Sequence, residues 1–206
     1  MNILILGATG RVGRQLATYA LHDRHQVTVL VRTPEKIQIN NKNLTILQGN
    51  VLNKEDIVRA MLGIDVVISA LNTDGTTTLS DSMPLIIEAM ENEGIKRIIT
   101  IGTAGILQSR TMPNSLRYQS GESRQRSTRA AKEHHKVYDM LQQSTLEWTI
   151  VCPTYLPDGE RLGKYRIDRN FLPEGGAEIS VSDTAEFTFK QIIASEYIKS
   201  RVGISY

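Results

Sequence analysis

The chain has 206 residues, enough for one full-sized domain that buries ~70% of its unfolded surface without a stabilising metal or disulfide. Its formal net charge of +2 is too small to indicate nucleic-acid or membrane binding. Its single cysteine, Cys152, excludes an intramolecular disulfide and a cysteine cluster for zinc or iron–sulfur. The apolar runs are too short for a membrane span and the N-terminus lacks a basic flank, so we expect a cytoplasmic protein without a signal peptide.

Short β-branched apolar runs predict buried strands, and the longer segments between them predict helices. The predicted strands are Ile3–Leu6, Val27–Val31, Leu44–Leu47, Val66–Ile68, Ile98–Ile101 and Trp148–Val151. The predicted helices are 11–23, 54–62, 80–94 and 126–143. Parallel neighbours need crossover connections, for which a helix is the usual element. The alternation therefore predicts an α/β fold, a doubly wound parallel sheet of the Rossmann-like type.

The sequence changes character after Pro153. Glycines and prolines within 157–163 and 173–176 predict excursions from the sheet over 153–181, with short strands at 164–167 and 178–181. Ser182 is the predicted N-cap of a last helix. No repeat, low-complexity run or linker divides the chain, so we expect residues 1–206 to form a single domain.

A glycine motif follows the first predicted strand and opens the first predicted helix. It reads Gly7-Ala8-Thr9-Gly10-Arg11-Val12-Gly13. In dinucleotide-binding folds the first glycine allows a tight turn, the second lets a pyrophosphate approach the backbone, and the third lets helix and strand pack closely. All seven residues are predicted to bind the cofactor. A glycine-rich turn without a ligand is the alternative.

The end of the second predicted strand indicates which dinucleotide binds. Arg32 lies roughly 20 residues beyond the glycines, where an arginine suits a 2′-phosphate and an acidic residue suits a free 2′-hydroxyl. No acidic residue precedes Glu35 in this segment. We therefore predict NADP(H) as the cofactor, with Thr33 and Lys36 as further contacts. The alternative is that Arg32 is a solvated charge at a strand end.

These motifs resemble the atypical short-chain dehydrogenase/reductases with NmrA-like members, and within them the branch of biliverdin reductase B-type flavin reductases. The resemblance covers nearly the whole chain and continues through several later segments. They are Gly49–Leu52, Ser69–Leu71, Gly102–Ala104, the helix that contains His134, Ser144–Thr149, Pro153-Thr154 and Ile179–Asp183. It implies an NAD(P)H-binding domain whose 153–181 excursions lie on the substrate side.

The resemblance also assigns residues along the cofactor. It implies that Asn50 and Val51 lie beside the adenine, where the family more usually has an Asp. It places Ala70 and Leu71 along the ribose and nicotinamide side. The remaining implied contacts are Thr103, near the nicotinamide, and Pro153 and Thr154, which with Tyr155 border the nicotinamide pocket.

One departure from the family decides the expected chemistry. Typical short-chain dehydrogenases use Tyr-x-x-x-Lys to move a proton, and this chain has no such pair. Alignment places His134 at the lysine position and Ala130 at the tyrosine position. We therefore predict two catalytic residues: Thr103 through a hydrogen bond near the nicotinamide, and His134 as a proton donor or relay. A packing role is the alternative for His134.

We predict an NADPH-dependent reductase that transfers hydride to a flavin, a quinone or a related conjugated acceptor by positioning the reactants. The alternative is an NmrA-type NADP-sensing regulatory protein with little or no turnover. A sugar-nucleotide epimerase is disfavoured by the missing pair and the short chain.

The segment from Arg110 to Lys136 holds seven basic residues against Glu122 and Glu133. This excess could attract an anionic small-molecule acceptor, or it could be a solvated helix face and loop. We expect no nucleic-acid, membrane or metal partner. The sequence leaves the oligomeric state open.

Overall fold

A computed structural model describes residues 1–123 and 127–206. Its strands are β1 Asn2–Leu6, β2 Gln26–Val31, β3 Leu44–Gln48, β4 Val66–Ser69, β5 Arg97–Ile101, β6 Glu147–Pro153, β7 Arg166–Arg169 and β8 Ser200–Ser205. Its α-helices are α1 Arg11–His22, α2 Lys54–Met61, α3 Thr78–Asn92, α4 Arg129–Gln143 and α5 Val181–Lys190. The first six strands and first four helices match the predicted ones within a few residues.

The strands form one eight-stranded sheet in the order β3-β2-β1-β4-β5-β6-β8-β7. Every neighbouring pair is parallel except β7 with β8, which is antiparallel. The chain runs outward from β1 to β3 and then restarts at β4 on the other side of β1. This reversal opens a crevice at the carboxyl ends of the strands, where ligands bind in such folds.

Helices cover both faces of the sheet, which confirms the doubly wound prediction. On one face, α1 and α5 pack side by side over residues such as Ile5 and Val29. On the other face, α2, α3 and α4 cover residues such as Leu4 and Ile98. Burial on both faces explains the continuous apolar runs of the central strands. Strand β3 is half-exposed along its length because it is an edge strand, so the prediction that it is buried was wrong.

The structure differs from the sequence predictions mainly in the last third of the chain. Residues 178–181 form no strand: Glu178 makes an isolated bridge to Tyr155, and α5 already begins at Val181. Ser180 is the N-cap, because its hydroxyl accepts a hydrogen bond from the Asp183 backbone N–H. Strand β7 lies two residues later than predicted, and β8 was not predicted. Residue 126, the predicted start of the fourth helix, lies outside the described residues.

Within the described ranges, no helix is long and apolar enough to cross a membrane.

Candidate functional site

The glycine turn between β1 and α1 is built on close backbone approaches. Gly7 has φ +84°, which favours glycine, and a Cβ there would lie 2.4 Å from the Ala70 carbonyl oxygen. A Cβ on Gly13 would lie 2.2 Å from the Gly7 carbonyl oxygen. The fold itself therefore requires glycine at these two positions, because α1 packs directly against the end of β1.

Gly10 is less constrained, because a side chain there would make a single tight contact with the backbone. A Cβ would lie 3.3 Å from the Gly7 carbonyl oxygen, with no other contact within 4 Å. Its φ of −78° is open to any residue, and Gly10 is exposed as the N-cap of α1 without a side-chain capping bond. The first turn of α1 therefore faces an open surface suited to an anion. The fold therefore places a weaker demand for glycine on this position than on Gly7 and Gly13.

Some predicted cofactor residues can contribute only their backbone. The side chains of Ala8, Val12 and Val51 are at most 9% exposed and belong to the hydrophobic core. The placement of Val51 beside an adenine therefore stays a prediction, and Val51 could make that contact only through its backbone. Arg11 reaches sideways, donating to the Leu156 carbonyl oxygen at 3.0 Å and pairing with Asp158 at 3.1 Å.

Five neighbouring strands carry predicted residues at their carboxyl ends. In the sheet order β2-β1-β4-β5-β6 these are Arg32, Gly7, Ala70, Thr103 and Pro153. Parallel strands present their carboxyl ends along one edge, so the residues form a continuous rim. An extended ligand that runs along this rim would meet all five.

The outer end of this rim is polar and exposed. Arg32, Thr33 and Lys36 are all exposed, and in the described part of the chain Arg32 forms no salt bridge. Asn50 is also exposed, and its side-chain oxygen accepts a hydrogen bond from the Leu52 backbone N–H at 3.1 Å. These side chains can therefore reach a ligand without breaking core packing.

The inner end of the rim opens into a cleft of about 560 Å³. Its lining residues come from the ends of β5 and β6 and from two loops: Thr103–Gly105, Gln108, Arg110, Arg117, Glu122, Ser123, Pro153–Tyr155 and Leu172–Ala177. This volume is within the range of small-molecule sites. The predicted residues Thr103, Pro153 and Thr154 therefore lie where the rim meets the cleft. Leu71, only partly buried, follows Ala70 on the rim.

The two threonines differ in how their hydroxyls are used. The Thr103 hydroxyl accepts a hydrogen bond from the Gly105 backbone N–H at 3.4 Å and caps a short 3-10 turn. The Thr154 hydroxyl is buried and has no hydrogen-bond partner. Other buried polar atoms of the described chain also lack a partner, and the Thr154 hydroxyl differs from most of them in belonging to a residue that lines the cleft. Because buried polar groups are normally hydrogen-bonded, this hydroxyl is a candidate contact for a ligand in the cleft.

One wall of the cleft is held by a carboxylate with several partners. Glu122 pairs with Arg117 at 3.4 Å and accepts hydrogen bonds from Ser109 and Thr111. Burial raises the pKa of Glu122, but these hydrogen bonds outweigh it and bring the pKa to about 2. Glu122 is therefore ionised at neutral pH and fixes the loop that follows Ser109.

His134 lies on α4 and is absent from the described residues that line the cleft. Desolvation of its ring lowers the pKa of His134 to about 4, although the neighbouring Glu133 opposes this. The imidazole is therefore neutral at pH 7 and has no proton to spare as an imidazolium. The geometry thus favours the packing role over the catalytic one.

Of the five basic residues that the structure describes in this segment, three form salt bridges and two, Arg129 and Lys132, form none. Arg110 forms a salt bridge with Asp168 at 2.6 Å, and Lys136 forms one with Glu133 at 2.6 Å. Arg117 pairs with Glu122, as above. Arg124 and Arg126, which the predicted charge excess includes, lie outside the described residues.

Sequence reasoning missed the wall formed by Leu172–Ala177. Its proline and glycines predicted an excursion but gave no sign of which site it faces. The other excursion, after Tyr155, does not line the cleft: the backbone N–H groups of Leu162 and Gly163 donate to Asp183 on α5. In the described residues no group of three or more His, Cys, Asp or Glu side chains could hold a metal ion.

The fold and site define a dinucleotide-binding protein of the Rossmann class, with a glycine turn at the switch point and an adjoining cleft. A family model described as NAD(P)H-binding matches residues 7–194. The chain belongs to this NAD(P)H-binding family.

Similar proteins support the same class. The chain is 35% identical over 107 residues to phenylcoumaran benzylic ether reductase IRL1 of Ginkgo biloba, covering 48% of this chain and 34% of that protein. The chain thus spans about a third of that relative. A Rossmann-fold NAD(P)-binding family protein from Shigella flexneri is 26% identical, with a TM-score of 0.78 and coverage of 99% and 92%. SP1627 of Streptococcus pneumoniae, described as a candidate NADH-flavin reductase, shares the fold at 24% identity, with a TM-score of 0.83 and coverage of 100% and 99%. Of these three proteins, IRL1 and SP1627 carry reductase descriptions.

Proposed function

We propose that this protein is an NADPH-dependent reductase that transfers hydride to a flavin, a quinone or a related conjugated acceptor, as biliverdin reductase B-type flavin reductases do. The observation that carries the proposal is the continuity of the site. A rim of predicted cofactor residues ends at Thr103 and Thr154, and these two threonines also line a cleft large enough for a second small molecule.

The residues present fit a bound dinucleotide. Room at Gly10 and the uncapped first turn of α1 suit the pyrophosphate, and the unpartnered Thr154 hydroxyl suits a polar group at the nicotinamide end. The exposed guanidinium of Arg32, with Thr33 and Lys36 beside it, supports a 2′-phosphate and hence NADP(H) over NAD(H). Asn50 and the backbone at Val51 would lie beside the adenine.

When bound, NADPH supplies the hydride. The protein's part is to hold the nicotinamide end at Thr103 and Thr154 and to admit the acceptor from the cleft, so that positioning carries the rate. The described lining residues include no histidine, lysine or cysteine. A conjugated acceptor gains one hydride and one proton, and we propose that the proton comes from water.

The two excursions after Pro153 then have different tasks. Residues 172–177 would form the acceptor side of the site, whereas 156–163 secure the α1 and α5 face beside the phosphate end. We propose that residues 1–206 act as one domain in the cytoplasm on a small-molecule acceptor.

A second candidate is an NADP-sensing regulator of the NmrA type. The observation that favours it is the lack of a proton-donating pair: the chain has no Tyr-x-x-x-Lys, and His134 is neutral and away from the cleft. Such a protein would bind the dinucleotide at the same rim without turning it over.

Steady-state oxidation of NADPH, followed at the nicotinamide absorbance with a panel of flavins, quinones and tetrapyrroles, separates the two. Sustained turnover with any acceptor, and slower turnover with NADH, supports the reductase. Binding of NADP(H) without turnover across the panel contradicts it and supports the sensor.

A further inference from the structure

Tyr155 has the only aromatic side chain among the described residues that line the cleft. It follows Pro153 and Thr154, so it stands next to the nicotinamide end of the proposed cofactor site. Tyr155 is 65% exposed, a large exposed fraction for an aromatic residue. The ring therefore offers a face that no other part of the described chain covers.

The other tyrosines of the chain all have partners. Tyr19, Tyr118, Tyr138, Tyr165 and Tyr197 each contact another ring. The sixth, at the end of β8, donates its hydroxyl to Asp183 at 2.6 Å. In the described part of the chain, Tyr155 alone has neither a ring contact nor a hydrogen-bonded hydroxyl. Within the described residues, the folded structure therefore depends less on the Tyr155 side chain than on the other tyrosine side chains.

The backbone beneath this free ring is fixed. The Tyr155 carbonyl oxygen accepts a hydrogen bond from the Ile179 N–H at 3.0 Å, and Tyr155 forms a parallel bridge with Glu178. The carbonyl oxygen of the next residue, Leu156, accepts a hydrogen bond from the Arg11 guanidinium. The backbone that carries the ring is therefore fixed, so little backbone entropy is lost when a ligand covers the ring.

Both arginines among the described residues that line the cleft are already paired, and Glu174 adds a further carboxylate to the lining. Arg110 pairs with Asp168, and Arg117 pairs with Glu122, which is ionised at neutral pH. The Arg110 guanidinium also lies 4.8 Å from the centre of the Phe171 ring. An anionic group that entered the cleft would compete with carboxylates already in place. A flat, uncharged ring would instead gain apolar and stacking contact without that competition.

We propose that Tyr155 binds the acceptor by stacking on its planar ring, and that the cleft selects a planar, uncharged conjugated ring rather than an anionic tail. The proposal rests on the proposed function, because it takes the bound ring to be the hydride acceptor. The binding itself can be measured without turnover. It narrows the substrate class to quinonoid or isoalloxazine rings whose phosphate or carboxylate groups contribute little.

The test compares riboflavin with its 5′-phosphate, since the two share one ring and differ in charge. Quenching of flavin fluorescence by NADP⁺-saturated protein gives each dissociation constant. We expect the two constants to agree within about threefold. Tyr155→Ala should weaken binding of both flavins by roughly two- to twelvefold, the range of an aromatic pair, and Tyr155→Phe should bind as the unmutated protein does.

Two controls make the result specific. Ile193→Ala removes a side chain that is 80% exposed away from the lining residues and should change nothing. The affinity of each variant for NADP⁺ is measured first, so that every flavin titration is made with the cofactor site saturated. Unchanged flavin binding in Tyr155→Ala, or binding of the phosphate at least tenfold tighter than riboflavin, overturns the proposal. Tyr155-dependent flavin binding without NADPH oxidation would support it while the proposed reductase activity failed.

Discussion

Replacing Gly10 by valine should separate cofactor binding from folding. A Cβ at this position meets only the Gly7 carbonyl oxygen, at 3.3 Å, and the backbone φ of −78° suits valine. The folded protein should lose about 1 kcal/mol, since glycine is the better N-cap residue, and the melting temperature should fall by roughly 2–4 °C. The added methyl groups stand over the first turn of α1, where the pyrophosphate is proposed to approach.

Loss of two charge-assisted hydrogen bonds at ~1.5–3 kcal/mol each would weaken NADP(H) binding by roughly a hundredfold or more. Titration calorimetry measures the affinity, and thermal unfolding by circular dichroism measures the stability. The matched control is Gly13→Ala, whose Cβ would lie 2.2 Å from the Gly7 carbonyl oxygen and should lower the stability itself. A folded Gly10→Val protein that binds NADP(H) normally would refute the reasoning and place the phosphate site elsewhere.

Three further predictions concern single side chains. Arg32→Asp should lower or invert a roughly tenfold to hundredfold preference for NADPH over NADH. Lys42→Asp, at another exposed basic residue, is the control. Equal affinity of the unmutated protein for both cofactors would contradict the assignment of NADP(H) as the cofactor. Thr154→Val should leave stability equal or higher, because the hydroxyl has no partner in the fold, yet weaken NADP(H) binding by roughly tenfold; a clear loss of stability would contradict this. His134→Ala should reduce turnover by less than about tenfold. The pH profile of turnover should show no histidine titration between about pH 6 and 8, because the pKa of His134 is lowered to about 4. A loss of ~10²-fold or more would identify His134 as the proton donor.

The pattern of the sequence was sufficient for the sheet up to β6 and for the rim of strand-end residues. Buried parallel strands give continuous apolar runs in the sequence. The glycine spacing indicates positions where the backbone approaches other backbone too closely for a Cβ, as it does at Gly7 and Gly13. Strand β8 was missed, although it is fully buried, because Ser200, Arg201 and Ser205 interrupt its apolar pattern. The buried guanidinium of Arg201 is accommodated by the Ile106 carbonyl oxygen and the Tyr138 ring, contacts that sequence alone does not reveal.

The site was predictable where it follows the strand ends and not where it depends on loops. Thr103 and Thr154 are at strand ends, so fold topology brings them together. The far wall of the cleft comes from residues 172–177, whose position depends on the antiparallel pairing of β7 with β8. The role of His134 depended on an alignment that identifies a position but not the burial that lowers its pKa.

The central claim is transfer of hydride from NADPH to a conjugated acceptor in the cleft beside Thr103 and Thr154. An anaerobic single-turnover experiment tests it most directly, by mixing the NADPH-loaded protein with riboflavin and following the nicotinamide and flavin absorbances together. If the protein transfers hydride, one NADPH should be oxidised for each flavin reduced, and the reaction should be faster than in a mixture without the protein. NADPH that stays bound and unoxidised while the flavin remains oxidised would contradict it.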